Sequence, residues 1–228
     1  MYSDTGDFMD AILLAAGSSR RMGAEIDKQL VRLGGKPVMI FSLERLVKHP
    51  GINRVIVTAA EDNLDVIREI LEDYHLSSHC VVVEGGSTRQ ESVVEGLKQV
   101  TSERVLIHEG ARPLIDSELI DRVLAVNADC AVPTIQIPFT VAVGGSTMES
   151  ELDRSLLHNV QLPQVFTTDV IRKAHERAME NGETATEDSV LVHRMGYEVV
   201  FVQGSQRNLK ITYPEDLVIA ETLIFGES

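Results

Sequence analysis

Positive charge is scarce in this sequence: 21 Lys and Arg stand against 35 Asp and Glu, a formal net charge of −14. A field of that sign repels DNA, RNA and anionic lipid, so neither nucleic acid nor a membrane is an expected partner. Cysteine is scarce too. Cys80 and Cys130 are the only two, which leaves no disulfide framework and no zinc spacing. Each sits in an apolar run and reads as a buried, reduced thiol. No apolar stretch approaches the ~20 residues that span a bilayer. The first ten residues hold three Asp and no Lys or Arg, unlike a secretory signal, so a cytoplasmic protein is expected. Internal repeats, low-complexity tracts and linkers are also missing. Residues 1–228 therefore read as a single domain, of a length that α/β sheets reach without splitting.

What is present is an alternation. Short β-rich apolar runs occur at 11–15, 54–58, 80–83, 104–107, 130–134 and 198–202. Several are almost continuously apolar, as strands covered on both faces should be. Between them, helical periodicity predicts helices at 37–48, 62–74, 88–100, 117–126, 168–181 and 214–224. Pro37 and Pro214 suit a first helical turn, and Asn181-Gly182 suits a helix end. The expected fold is α/β and Rossmann-like: a mostly parallel sheet with helices on both faces, binding ligands at the carboxyl ends of its strands. One segment, 136–158, breaks the rhythm with Pro138, Gly144-Gly145 and no helical period. A structureless loop of that length is rare in a compact domain, so a protruding β-arm is expected there.

The first strand runs into Ala15-Ala16-Gly17-Ser18-Ser19-Arg20-Arg21-Met22-Gly23, with Lys28 shortly after. Small residues let the backbone approach an anion, and successive N–H groups can wrap it. Arg20, Arg21 and Lys28 add positive charge where the chain otherwise has little. The loop is not a Walker A motif, because Met22 stands five positions after Gly17 and no Gly-Lys-Ser/Thr follows. It is not a dinucleotide fingerprint either, because Ser19 occupies the second glycine's place.

Five motifs, in order from residue 11 to residue 217, carry a resemblance. The Ala-Ala-Gly loop resembles the opening of nucleotidyltransferases that act on sugar and polyol phosphates. Gly85-Gly86-Ser87-Thr88-Arg89-Gln90-Glu91-Ser92-Val93, His108-Glu109-Gly110-Ala111-Arg112-Pro113, Pro163-Gln164-Val165-Phe166 and the run from Asn208 to Leu217 narrow it. Together they resemble the 2-C-methyl-D-erythritol 4-phosphate cytidylyltransferases.

The resemblance implies CMP transfer from CTP to a phosphorylated polyol in isoprenoid precursor synthesis, with Mg²⁺ and release of pyrophosphate. It implies that Arg21, Lys28 and Lys210 are catalytic. Ala15, Ala16, Gly17, Ser18, Ser19 and Arg20, with Gly85, Gly86, Ser87 and Ser92, would hold the nucleotide. Glu109 would hold the metal, and Arg112 and Arg154 would grip the acceptor phosphate. Arg154 would come from a partner subunit, which makes a homodimer through the arm the expected assembly. From the residues alone, Ser92 also reads as a hydroxyl of a helix's first turn, His108 as a structural imidazole, and Arg89 as a supporting residue.

The chain departs from that family at three places. Glu109 replaces an Asp, Gln136-Ile137 replaces an Asp-Thr pair, and Leu162 replaces a Thr. A site built to hydrogen-bond an acceptor hydroxyl selects through that bond, so the acceptor half is the less well matched. Ribitol 5-phosphate or another polyol phosphate is the alternative acceptor. A non-catalytic nucleotide-binding protein and a dinucleotide-dependent oxidoreductase are the readings from other classes, the second disfavoured by the missing glycine fingerprint.

Overall fold

The computed structural model of the chain describes residues 8–17 and 30–226. Its strands are β1 (Met9–Ala15), β2 (Arg32–Leu33), β3 (Lys36–Pro37), β4 (Ile52–Ala59), β5 (Cys80–Glu84), β6 (Arg104–Glu109), β7 (Cys130–Gln136), β8 (Val141–Gly144), β9 (Met148–Leu152), β10 (His158–Val160), β11 (Gln164–Thr167) and β12 (Val199–Gln203). Its helices are α1 (Val38–Lys48), α2 (Leu64–Asp73), α3 (Arg89–Leu97), α4 (Ser117–Leu124), α5 (Thr168–Asn181), α6 (Asp188–Arg194) and α7 (Pro214–Phe225).

The main sheet runs β5-β4-β1-β6-β11-β7, with β10 and β12 also on β7. The β1–β4, β1–β6, β4–β5 and β7–β12 pairs are parallel. β10 and β11 pair antiparallel with β7, at Thr134–Gln136 and at Cys130 and Ala131. β12 takes the whole of Cys130–Thr134. A strand has two edges, so β10 and β11 share one and β12 has the other. The carboxyl ends of β5, β4, β1, β6, β7 and β12 consequently point the same way.

Alternation along β1 divides the core. Ala11, Leu13 and Ala15 pack with Met39, Leu43 and Leu46 of α1, Ile67 and Leu71 of α2, and Ile120 and Val123 of α4. Ile12 faces the opposite layer, with Val93 and Leu97 of α3, Ile171 and Ala174 of α5, and Val192 of α6. A third, small cluster joins Leu33 of β2, Val38 of α1, Ile211 and Ala220 of α7. Next to it the Gly34 N–H donates to Glu221 of α7.

All six predicted strands and all six predicted helices are present, with shifted ends. Five elements were not expected: α6, the short pair β2–β3, and β10 and β11, whose antiparallel pairing makes the main sheet mixed. The 136–158 segment contains the expected hairpin, with Val141 opposite Leu152 in a separate two-stranded sheet. Cys130 is buried as expected, but Cys80 is only partly so, because β5 is the sheet's outer strand and one side lacks a neighbour. No helix is long and apolar enough to cross a membrane, among the described residues.

Asp10, at the start of β1, is fully buried. Its carboxylate accepts from Thr101 N at 2.8 Å, Thr101 Oγ1 at 3.1 Å and Arg54 Nε at 3.2 Å. Burial works to raise its pKa, but the bonds from Arg54 and Thr101 outweigh this and lower it. The residue ties β1, β4 and the turn before β6. Asp10→Ala would leave these donors without an acceptor and should cost about 3 kcal/mol of stability in urea titration. A loss below about 0.5 kcal/mol, the level of an ordinary surface change, would show the tie to be dispensable.

Candidate active site

The carboxyl edge of the sheet gathers three loops. After β1 come Ala16 and Gly17; after β5 comes the Gly85-Gly86 turn; β6 ends on Glu109 itself. The turn lies hard against the first loop: a Cβ placed on Gly85 would sit 2.6 Å from Ala16 Cβ and 2.9 Å from Ser92 Oγ. A Cβ on Gly86 would sit 2.1 Å from that of Glu91. No other residue fits either position, so backbone is what this turn presents. Ser92 is buried, and its hydroxyl is engaged by Gly86 N at 3.2 Å and Thr88 O at 2.9 Å. Thr88 and Glu91 form a capping box at the start of α3, and Ser87 Oγ donates to Glu91 at 2.6 Å. The buried Ser92 hydroxyl thus shapes the turn, and that of the exposed Ser87 is held by Glu91. Ser18, Ser19, Arg20, Arg21 and Lys28 lie outside the described residues.

Glu109 is the centre of the remaining site. Lys210 Nζ lies 2.8 Å from Oε1, Arg112 Nε 3.3 Å from Oε2 and Arg89 Nε 3.6 Å from Oε1. Burial alone would raise this carboxyl's pKa, but Lys210, Arg112 and Arg89 more than offset it and bring it to about 2. The cations come from distant parts of the chain. Arg112 follows β6 directly, Arg89 is the first residue of α3, and Lys210 is placed by Ile211 N donating to Ala111 O at 2.8 Å. Arg112 is itself braced. Its Nη1 donates to Asn208 O at 3.0 Å, and its carbonyl accepts from Ser42 Oγ at 2.9 Å and faces His108 Nε2 at 3.1 Å. Burial drives the His108 pKa down to about 4. This is a neutral imidazole donating through Nε2, spent on backbone, and it fits the structural role over a general base.

Behind Arg89 stands a group that sequence patterns did not single out. Arg89 Nη2 is 2.7 Å from Asp188 and 3.5 Å from Glu187, and His175 Nε2 is 3.1 Å from the other oxygen of Asp188. Burial opposes the charged forms of Asp188 and Arg89; their mutual attraction wins, lowering the first pKa and raising the second. Glu187 is pushed up, first by burial and then by its acidic neighbours, against the pull of Arg89. In the sequence these two acids stand just before an apolar helix, where acidic residues are ordinary.

Two expectations need qualification. Arg154 is exposed at the base of the arm and donates to Pro138 O at 3.0 Å; the structure does not bring it to Arg112. Leu162 is fully buried in the core, so its difference from the family's Thr is a matter of packing. As for a metal, no group of three or more His, Cys, Asp or Glu is placed to hold an ion, among the described residues. Mg²⁺ usually keeps waters and takes one or two carboxylates plus substrate phosphates. A lone Glu109 with both oxygens facing cations fits only an ion that arrives on a triphosphate.

The profile of the family described as IspD, 2-C-methyl-D-erythritol 4-phosphate cytidylyltransferase, matches residues 9–225. The chain is 39% identical over 222 residues to the protein of that name from Clostridium acetobutylicum, covering 94% of this chain and 96% of the relative. To the one from Syntrophotalea carbinolica it is 36% identical over 220 residues, covering 93% and 94%. The crystal structure of 4-diphosphocytidyl-2C-methyl-D-erythritol synthase from Anaerococcus prevotii is similar with a TM-score of 0.84 at 29% identity, covering 96% of this chain and 99% of that one. The Thermus thermophilus 2-C-methyl-D-erythritol 4-phosphate cytidylyltransferase gives 0.77 at 31%, covering 95% and 98%.

The ionised Glu109 has a measurable signature. A folded-state pKa below the usual 4.5 means that the carboxylate contributes stability above 4.5 and loses it as pH falls towards 2. The stability gap between wild type and Glu109→Gln should therefore shrink by about 3 kcal/mol over that window, read by urea titration at stepped pH. A gap that stays constant with pH would mean that Glu109 is not held as an ion by its neighbours.

Proposed function

The chain belongs to the 2-C-methyl-D-erythritol 4-phosphate cytidylyltransferase family, and on that premise we infer that it transfers CMP from CTP to 2-C-methyl-D-erythritol 4-phosphate with release of pyrophosphate. The observation that carries the reading is the convergence of Arg89, Arg112 and Lys210 on Glu109, beside a backbone-presenting glycine turn, in a protein of net charge −14. Such a cluster matches a polyanionic substrate.

The reaction is an in-line displacement. An oxygen of the acceptor's phosphate attacks the α-phosphorus of CTP as the bond to pyrophosphate breaks. A phosphate oxygen is already ionised and needs no general base, in keeping with a His108 committed to backbone. Catalysis is then positioning and charge neutralisation. Arg21 and Lys28 are assigned to the β- and γ-phosphates, with the backbone from Ala15 to Arg20 around them. The Gly85-Gly86 backbone takes the base, shaped by Ser87 and Ser92. Lys210, a third exposed, is free enough to turn from Glu109 to the α-phosphate. Glu109 is the residue that would hold Mg²⁺ arriving with the triphosphate, where the ion would supply further neutralisation. Arg112 and Arg154 are assigned to the acceptor phosphate, Arg112 by exchanging Glu109 for it.

The arm supports a homodimer. Phe139, Met148 and Leu156 are 74%, 65% and 77% exposed, on or beside a hairpin that shares no sheet with the body. Three large apolar side chains this exposed on one small arm favour a partner that covers them. A second copy laid against the arm would cover it and bring Arg154 to the neighbouring site. The two unpaired cysteines suit a reducing compartment, in support of the cytoplasm.

Pyrophosphate release should be greatest with CTP and 2-C-methyl-D-erythritol 4-phosphate, among four NTPs and a panel of polyol phosphates that includes ribitol 5-phosphate. Faster release with another acceptor would reassign the substrate. Lys28→Ala and Lys210→Ala should each lower turnover by roughly 10²–10³ while the fold persists; near-normal rates would cancel those roles. Light scattering should give a dimer for wild type and a monomer for the Phe139→Asp/Leu156→Asp variant. A wild-type monomer at micromolar concentration would remove the arm's assembly role.

A further inference from the structure

Arg89 uses its nitrogens unevenly. Nη2 is tied to Asp188 at 2.7 Å. Nε–H, by contrast, is shut off from solvent and has no hydrogen-bond acceptor among the described residues. The carboxylate oxygen facing it is Glu109 Oε1 at 3.6 Å, beyond hydrogen-bonding range. Lys210 Nζ holds that same oxygen at 2.8 Å. A buried donor without an acceptor is destabilising, and native structures keep few of them. A carboxylate oxygen can accept from two donors, but with Lys210 at 2.8 Å the Arg89 Nε–H stands off at 3.6 Å, a gap suited to closing once Lys210 has gone.

We propose that Arg89 takes over Glu109 Oε1 when Lys210 leaves it for the nucleotide. The proposal rests on the reading of Lys210 as the α-phosphate lysine. Turning Lys210 towards a phosphate strips a buried carboxylate of its nearest cation, and Arg112 stays on Oε2 only until the acceptor binds. Unless another cation replaces it, nucleotide binding leaves part of a buried charge uncompensated, and Arg89 is the one already in place before any Mg²⁺ arrives. Arg89 Nε needs to close only from 3.6 Å to the ordinary ~2.9 Å. Its hold on Asp188 runs through a different nitrogen, and His175 fixes Asp188 from the far side. Arginine suits this position because its fork offers donors to two carboxylates at once; a lysine could satisfy Asp188 but would bring no second, separately placed donor. Arg89 is thus a positioning residue: it keeps Glu109 compensated so that Lys210 can be released.

Arg89→Lys keeps a cation opposite Asp188, so the fold should survive with Tm within a few degrees of wild type. Its kcat/KM for CTP should fall roughly 10- to 100-fold. In a Glu109→Gln background, where no charge needs a replacement cation, the same change should cost less than about threefold. Equal factors in the two backgrounds, or an unchanged rate for Arg89→Lys alone, would overturn the handover and leave Arg89 a structural brace. A second measurement does not depend on the rate of any variant. The Arg89 Nε–H resonance of ¹⁵N-labelled wild type should move downfield and exchange more slowly on saturation with α,β-methylene-CTP, with or without Mg²⁺. An unmoved resonance at saturation would overturn the proposal. So would a shift that Mg²⁺ reverses, which would assign the oxygen to the ion. A wild type that releases no pyrophosphate from CTP with any acceptor would fail the transferase reading itself, and the handover with it.

Discussion

A buried carboxylate among three cations sets the terms for this site. Without Glu109, Lys210, Arg112 and Arg89 would repel one another across a few ångströms of low-dielectric interior, and each would seek solvent. Without the cations, Glu109 would take up a proton or open the loop around it. With Asp188 and Glu187 behind Arg89, they form a largely charge-compensated knot at the end of β6 that can stay assembled while no substrate is present. On the proposed function, a triphosphate competes for cations already in position, and much of the entropy of collecting them has been met during folding.

The sheet is what makes the knot possible. Residues 89, 188 and 210 are far from the 109–112 pair along the chain, and the sheet delivers their strands or flanking turns to one edge. The two-faced core holds that edge in register. β1 lies between β4 and β6, and the Asp10 tie secures its opposite end. The glycine turn after β5 approaches the loop after β1 so closely that no side chain fits between them, and the surface presented there is therefore main chain.

Much of this was legible. Strands buried on both faces are continuous apolar runs, and the helices between them keep their periodicity, so the alternation could be read from residue types alone. β10 and β11 escaped because each is only a few residues long and Pro163 interrupts them. α6 escaped because it is two turns long and opens on acids that read as ordinary helix-start residues. The same acids, Glu187 and Asp188, with His175, make up the support behind Arg89. No spacing in the sequence connects them, since the link is three-dimensional. Residue identity also misled at Leu162, where an altered motif position suggested an altered pocket and the side chain is in fact core. Ser92 illustrates the converse: a hydroxyl expected to face ligand is spent on the turn that faces it.

The small cluster of Leu33, Val38, Ile211 and Ala220 has a mechanical consequence. It joins β2 and the start of α1 to the segment that carries Lys210, and the Gly34–Glu221 bond reinforces the joint. Residues 33–38 and 209–211 therefore hang from one pin, and slack admitted at either is felt at the other.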